Sequence, residues 1–595
     1  MRYKLTIAIF LIFWGVMIAR LYHVSIKSNF YYQELAKENI ERKQFIKPVR
    51  GEIVDIHGNL LAMNQIGFSI SIKPHLKQNS PVLKAVVNTL VNTFPDLNQT
   101  VMMKVYKKNN SPYNHKFIKV VDFIHYPDMM GAYPRLSLIP EIHIEAETKR
   151  YYPYGKYSAH IVGYTGKSNE AENNADSVVN EVGKVGKSGL EKYYNDVLEG
   201  KLGYEINKVT ATNQTVDVLE KEEPKDNKNL TLNLDIDLQK MIYERFGNDA
   251  GVAIVMRTNG DVLAAVSYPS FDPNLFVGGI SSKDWKALQE DVNHPFTNKL
   301  IHGTYPPGST IKMGMALAFS KAKEGILDTN EFCSGHITLG KSSHKFRCWA
   351  TWGHGSVDLR RAIRESCDVY FYNKSLKVGI DAMAKYLRSF GLGVKTGIDL
   401  PLEFAGVIPD KEWKMKRYKQ PWYLGETVIA SIGQGYDLIT PMQLARYTAL
   451  VATSNLLTPH IAKKIDDKEV NATIKPISFN PRYLSEIRKG MYDVCNIPGG
   501  TAFATMSKLP VVVAGKTGTS QVTAISQATV KRLKEEQLAY FHRSHAWITT
   551  YAPYDDPQYV VTVLVEHGGH GGSAAGPIAA DIYKWLYQHG YFKNP

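Results

Sequence analysis

Residues 5–19 (LTIAIFLIFWGVMIA) form an uncharged apolar run, with Arg2 and Lys4 before it and Arg20 after it. No other stretch of the chain constrains its fold as tightly, because a helix made of this run must leave water. Fifteen residues give about 22 Å of helix against a hydrocarbon core of roughly 30 Å, so a span must recruit Leu21, Tyr22 and Val24 while Arg20 snorkels outward. No small-x-small cleavage site follows, so the expectation is a retained anchor over residues 1–24 rather than a cleaved secretory signal. Arg2 and Lys4 nearly balance Arg20 and Lys27, so flanking charge leaves the topology open. The whole chain is 44% hydrophobic and 22% charged, which fits globular protein and excludes both wholesale disorder and a multi-spanning chain. At 595 residues it exceeds one hydrophobic core and should divide into domains. The net charge of +14 comes from scattered lysines. No basic arm or zinc-finger signature accompanies it, so nucleic acid is not an expected partner; an ectodomain beside anionic lipid and polymer is.

Beyond the anchor, alternating apolar positions on either side of His57-Gly58-Asn59 predict a hairpin. A mixed region continues to about residue 225, marked by Arg150-Tyr151-Tyr152-Pro153 and by Gly186-Lys187-Ser188-Gly189-Leu190-Glu191. The second of these is not a phosphate loop, because the motif's first glycine would fall at Glu181. The charged, proline-containing stretch 220–228 is expected to join two domains, 25–225 and 226–595. In the second, residues 230–234 read as a strand and 235–246 as a helix, and apolar runs flank the turn Asn259-Gly260. Helices are predicted over 357–371 and 441–453, then strands over 545–550 and 559–566. Strands, helices and strands again imply an α+β fold, an antiparallel sheet covered by helices with a helical subdomain, after a mixed α/β pedestal.

Three short motifs in the second domain bear on chemistry. In Tyr305-Pro306-Pro307-Gly308-Ser309-Thr310-Ile311-Lys312 a Pro-Gly turn opens a helix predicted to reach about Ala322, and the i, i+3 spacing puts Ser309 and Lys312 on one face. A serine hydroxyl needs a neighbouring base to become a nucleophile, and a desolvated lysine serves. By itself S-x-x-K is usually a capping serine with a solvated lysine. Ser366-Cys367-Asp368 adds a hydroxyl that can relay a proton and a carboxylate that can hold a lysine. Lys516-Thr517-Gly518-Thr519 follows an apolar strand predicted at 511–514; its glycine permits close backbone approach, and the lysine and hydroxyls can bind a substrate carboxylate.

In this order the motifs match the S-x-x-K, S-D-N and K-T-G set of acyl-serine enzymes. The chain resembles class B penicillin-binding proteins of the elongation type over nearly its whole length, including Arg50-Gly51 to Ala62, Gly189-Leu190-Glu191 and Ile432-Gly433-Gln434-Gly435. Asp368 departs from the wider superfamily's asparagine. The resemblance implies that Ser309 attacks the penultimate D-Ala carbonyl of a stem peptide ending in D-Ala-D-Ala, and that an amine of a second stem peptide then takes the acyl group. It implies Lys312 as general base, Ser366 and Lys516 as the relay, and backbone N–H groups of Ser309 and Thr519 as the oxyanion hole. It further implies β-lactam sensitivity, lipid-linked nascent glycan as substrate, a glycosyltransferase of the shape, elongation, division and sporulation (SEDS) family among other elongation-complex membrane partners, and a single pass through the inner membrane with the catalytic domain in the periplasm. A β-lactamase, an antibiotic sensor and a non-catalytic scaffold are the competing readings. The large pedestal, the lack of further spans and the intact motifs weigh against them in turn.

Cys333, Cys348, His354 and Cys367 follow the pattern C-x14-C-x5-H-x12-C. Three thiolates and an imidazole suit structural zinc, and the resemblance places metal-binding side chains at these positions in related proteins. A Cys333–Cys348 disulfide is the alternative in an oxidising compartment, and His336 and His344 are alternative ligands. His567-Gly568-Gly569-His570 reads as a substrate-side wall rather than a metal site.

Overall fold

The computed structural model describes residues 2–27, 30, 31, 34, 37, 40–77, 79–210, 215–225, 227–341, 343–522 and 535–592. The apolar run lies within helix Arg2–Tyr22, which continues as a π-helical segment, His23–Lys27. Tyr3–Lys27 is the one helix among the described residues long and apolar enough to cross a membrane.

The chain divides into two compact units. The first comprises Met1–Gly51, Ser168–Lys184 and Asp196–Lys228, the second Glu52–Lys167, Val185–Asn195 and Asn229–Pro595. This differs from the expected division at residue 225, because most of the pedestal sequence belongs to the second unit. The stretch expected to be a linker is partly ordered: strand Thr215–Glu222 pairs antiparallel with Gly203–Val209, which also pairs with Glu41–Ile46. A charged sequence forms strand here because the pairing satisfies its backbone while its side chains stay exposed.

In the second unit the predicted hairpin forms between Ile53–Val54 and Leu60–Ile72. Asp55 Oδ1 accepts the N–H groups of His57 and Asn59, and Gly58 takes the positive φ the turn needs, +87°. Leu60–Ile72 also pairs with Ile118–His125 and Ile142–Tyr151, over a core that includes Ile70, Leu83, Leu90 and Tyr106. The two segments singled out in the pedestal hold each other. Arg150 Nε donates to Glu191 Oε1 at 2.7 Å, both side chains buried, and Tyr152 Oη donates to the same oxygen at 3.2 Å. Gly189 has φ +58°, and a Cβ there would stand 2.5 Å from Gly163 N and Ile161 O, so the glycine serves close chain packing.

The central sheet has five antiparallel strands in the order Val262–Tyr268, Gly251–Arg257, Tyr559–Val565, His545–Ala552, Ala514–Ser520. Val252 through Met256 are completely buried, as expected for near-continuous apolar strands. Helices Ile236–Arg245, Pro441–Thr453, Pro481–Asn496 and Gly571–Gln588 pack against the sheet. Helices Lys312–Ala322, Asp368–Val378, Ile380–Ser389 and Leu424–Ala430 pack on one another as the helical part.

Two elements differ from the sequence-based expectation. The single helix predicted over 357–371 is two, Leu359–Arg364 and Asp368–Val378, because Ser366 adopts φ +55°, outside the helical region. The strand predicted at 511–514 instead runs Ala514–Ser520, so Lys516-Thr517-Gly518 lies inside an edge strand rather than after it.

Candidate active site

The segment ahead of Ser309 is held from several directions. Tyr305 exchanges both main-chain hydrogen bonds with Ile439 at 2.9 Å, and its hydroxyl donates to Glu566 at 2.6 Å. The carbonyl of Pro306 accepts from Trp547 Nε1 at 3.1 Å and from the Ser520 hydroxyl. Gly308, at φ +54°, donates its N–H to Gly433 O at 2.9 Å. Gly433, within the Ile432–Gly435 segment, is in turn irreplaceable, since a Cβ there would stand 2.4 Å from Gly308 O.

Ser309 lies in a 3-10 turn, Gly308–Ile311, and Lys312 opens the α-helix that follows. Lys312 N–H donates to Ser309 O, and in a 3-10 turn side chains at i and i+3 eclipse, which brings Lys312 over Ser309 more directly than α-helical spacing would. The Lys312 side chain is completely buried. Its Nζ donates to Ser366 O at 2.9 Å, to Ser366 Oγ at 3.2 Å and to Asp368 Oδ1 at 2.6 Å. The break in the helix at Ser366 makes this possible, because it turns both the carbonyl and the hydroxyl of one residue toward the lysine.

The third motif approaches the turn from the other side. A Cβ on Gly518 would stand 2.9 Å from Thr310 Cγ2 and 3.0 Å from Pro307 O, so the strand can run this close only as glycine. Gln434 Nε2 donates to Thr519 O at 3.1 Å, and Thr517 Oγ1 pairs with Thr501 Oγ1 at 2.6 Å. Lys516 is completely buried, and burial, with the nearby Lys312 charge adding to it, holds its pKa well below the usual lysine range. Burial also raises the Asp368 carboxyl, against the pull of Lys312. Burial thus favours the neutral amine at Lys516, the form that can accept a proton.

Cys333, Cys348, His354 and Cys367 converge, their ligating atoms all within 4.8 Å of one another. All four cysteines of the chain are free thiols, so the Cys333–Cys348 disulfide is not formed. His354 Nδ1 lies 3.5 Å from Cys333 Sγ and 3.6 Å from Cys348 Sγ. Two ligands of one tetrahedral zinc, with bonds of about 2.3 Å to sulfur and 2.0–2.1 Å to nitrogen, stand about 3.6 Å apart. The donor set therefore fits a zinc ion. Hydrogen bonding from Cys367 and His354 holds the Cys348 thiol well below the usual thiol range, while the bond to Cys348 and burial raise Cys367. Burial raises Cys333 as well, so in the metal-free cluster Cys348 is the sulfur held as thiolate. His336 and His344 lie outside the cluster.

One residue the motifs did not mark enters the site. Trp349 donates its backbone N–H to Asp368 Oδ2 at 2.9 Å, opposite the oxygen that holds Lys312. Its position after Cys348 was the only local signal. His567 N–H donates to His545 Nδ1 at 3.1 Å, and His545, at the end of the strand beside the third motif, is shifted down to about 4 by burial.

Comparison with known proteins agrees with this geometry. Residues 250–584 match the penicillin-binding protein transpeptidase domain, and residues 45–232 the penicillin-binding protein dimerisation domain. The peptidoglycan D,D-transpeptidase MrdA of Haemophilus influenzae is 34% identical, over 96% of this chain and 88% of its own length. The PBP2 of Helicobacter pylori, solved in complex with MreC, aligns with TM-score 0.84 at 40% identity, covering 93% of this chain and all of the solved one. A structure described as coordinating polymerization and crosslinking in a peptidoglycan synthase complex aligns with TM-score 0.71 at 25% identity, over 98% of both chains. With motifs, fold and near-full-length relatives in agreement, the chain belongs to the penicillin-binding protein transpeptidases, in the PBP2 group.

Proposed function

We propose that this chain is a peptidoglycan D,D-transpeptidase of cell-wall elongation, acylated on Ser309 by stem peptides and by β-lactams. The observation that carries the reading is the buried amine of Lys312, one 3-10 turn from Ser309 and bonded to both Ser366 and Asp368.

In the first step Ser309 Oγ bonds to the penultimate D-Ala carbonyl carbon and the C–N bond to the terminal D-Ala breaks. The serine proton passes through Lys312, Ser366 and Lys516 to the leaving amine. Backbone N–H groups of Ser309 and Thr519 stabilise the oxyanion, each donor worth about 2.7–4 kcal/mol. Thr517, Gly518 and Thr519 present the edge on which the donor peptide and its carboxylate lie. In the second step an acceptor amine attacks the ester carbonyl, the C–O bond to Ser309 breaks, and a proton returns along the relay to Oγ. The product is a cross-link.

Cys333, Cys348, His354 and Cys367 would hold zinc as a structural ion that ties the loop between them to the second motif; no proton moves through it. Helix Arg2–Tyr22 would anchor the chain in the inner membrane, with the catalytic domain in the periplasm where the substrate is. Stem peptides and lipid-linked glycan would be its substrates. A SEDS-family glycosyltransferase would supply glycan strands, and a protein like MreC would bind the chain, as MreC is in complex with PBP2 from Helicobacter pylori. Intact-protein mass spectrometry with a fluorescent penicillin tests the reading. A persistent adduct on the wild type and none on Ser309→Ala is expected; an adduct that survives the substitution refutes the assignment.

A further inference from the structure

The loop between Cys348 and His354 displays two tryptophans to solvent. Trp352 is 78% exposed and Trp349 48% exposed, their ring centroids 6.0 Å apart at 80°. Exposed tryptophans in so fixed a setting call for an occupant. Cys348 and His354 hold the two ends of the loop, Trp349 Nε1 donates to Glu365 O at 2.9 Å, and the Trp349 backbone is bonded to Asp368. Trp349 therefore stands beside the second motif, with Trp352 packed against it. The surrounding segment is also biased in charge. Residues 332–357 contain no aspartate or glutamate, while Lys341, Lys345 and Arg347 are all exposed on the adjoining hairpin. That hairpin is itself anchored, Tyr372 Oη donating to Arg347 O at 3.2 Å.

We propose that Trp349 and Trp352, with the cations of this hairpin, form the binding surface for the acceptor strand of the cross-linking reaction. This rests on the transpeptidase reading above and names which substrate the surface takes. Ser309 lies between two walls: the third-motif strand, whose Gly518 abuts Pro307 and Thr310, and the corner at Ser366–Asp368. A donor peptide laid along the strand leaves the Asp368 side, where Trp349 is, for the second substrate. That substrate is a muropeptide: its stem peptide carries several carboxylates, and its sugars present C–H faces. Indole faces suit the sugars and an acid-free cationic hairpin suits the carboxylates.

The test uses the full-length protein in detergent, a D-Ala thioester donor, and a disaccharide tetrapeptide with a free side-chain amine as acceptor. The partition of the acyl-enzyme between water and the amine is measured beside the rate of acylation by a fluorescent penicillin. For Trp352→Ala the acceptor concentration giving half-maximal aminolysis should rise about ten-fold, equivalent to about 1.4 kcal/mol, with penicillin acylation within about two-fold of wild type. Trp352→Phe should recover most of the loss. Lys341→Glu should raise the same concentration, less so at high salt. The proposal is overturned if Trp352→Ala leaves the partition unchanged, or if acylation falls in parallel with aminolysis, which would mark a structural or donor-side role. Absence of any penicillin adduct on the wild type would instead sink the Ser309 reading, so the two failures are distinct.

Discussion

Replacing Lys516 with methionine should slow acylation sharply while making the fold more stable. The Lys516 side chain is completely buried, and its Nζ donates to Thr517 O at 3.1 Å. An amine buried with incomplete hydrogen bonding costs about 1–3 kcal/mol, and a methionine of similar length fills the space without that cost. The variant should therefore be about 1–3 kcal/mol more stable at pH 7. Loss of a positioned proton relay should slow acylation by about 10²–10⁴-fold. A third signature follows from linkage. Burial lowers the folded-state pKa of Lys516 below the 10.5 of an unperturbed lysine, so between the two values the unfolded chain holds one more proton than the folded one. Wild-type stability then rises with pH through that window by about 1.4 kcal/mol per unit, and the advantage of Lys516→Met shrinks as pH rises toward 10.5. Stopped-flow acylation with a fluorescent penicillin and urea melts at pH 7 and pH 9 read all three. Acylation within about ten-fold of wild type, or a variant less stable than wild type, would refute the reasoning.

Glu191→Gln leaves the buried Arg150 guanidinium without its counter-charge and should cost about 3–5 kcal/mol in a urea melt, whereas Arg150→Met with Glu191→Leu should recover most of it. His160 is buried, and burial, with Lys299 adding to it, lowers its pKa to about 3. From pH 6.5 down toward 3 the unfolded chain holds the additional proton, so stability should fall with acidification by about 1.4 kcal/mol per pH unit, and His160→Gln should flatten that slope. Zinc stoichiometry measured by inductively coupled plasma mass spectrometry should be one per chain and fall on Cys333→Ser, with the melting transition falling too; a metal-free wild type with an unchanged melt would remove the zinc assignment.

The candidate residues for the chemistry were legible in the sequence because each motif is a local spacing. Ser309 and Lys312 share a face whether the turn is α or 3-10, and Gly518 is glycine whichever strand it approaches. The hairpins at His57–Asn59 and Asn259–Gly260 were legible for the same reason, since turn chemistry is written in two or three neighbouring residues. The C-x14-C-x5-H-x12-C pattern named four candidate ligands, but its long gaps say nothing of distance.

The tertiary structure decided what local propensity could not. The predicted helix over 357–371 breaks because Ser366 takes φ +55°, and the conformation is repaid by the two hydrogen bonds its carbonyl and hydroxyl accept from Lys312, a residue far away in the chain. Convergence of the Cys/His set to within 4.8 Å likewise depends on folding a long segment back on itself. The role of Trp349 appears only when its backbone is seen beside Asp368. Sequence by itself determined which side chains are the candidates for the chemistry, through spacing along one helix turn or one strand. Only the packing of distant segments decided their distances, burial and charge state, because desolvation and hydrogen bonding are properties of neighbours in space and not along the chain.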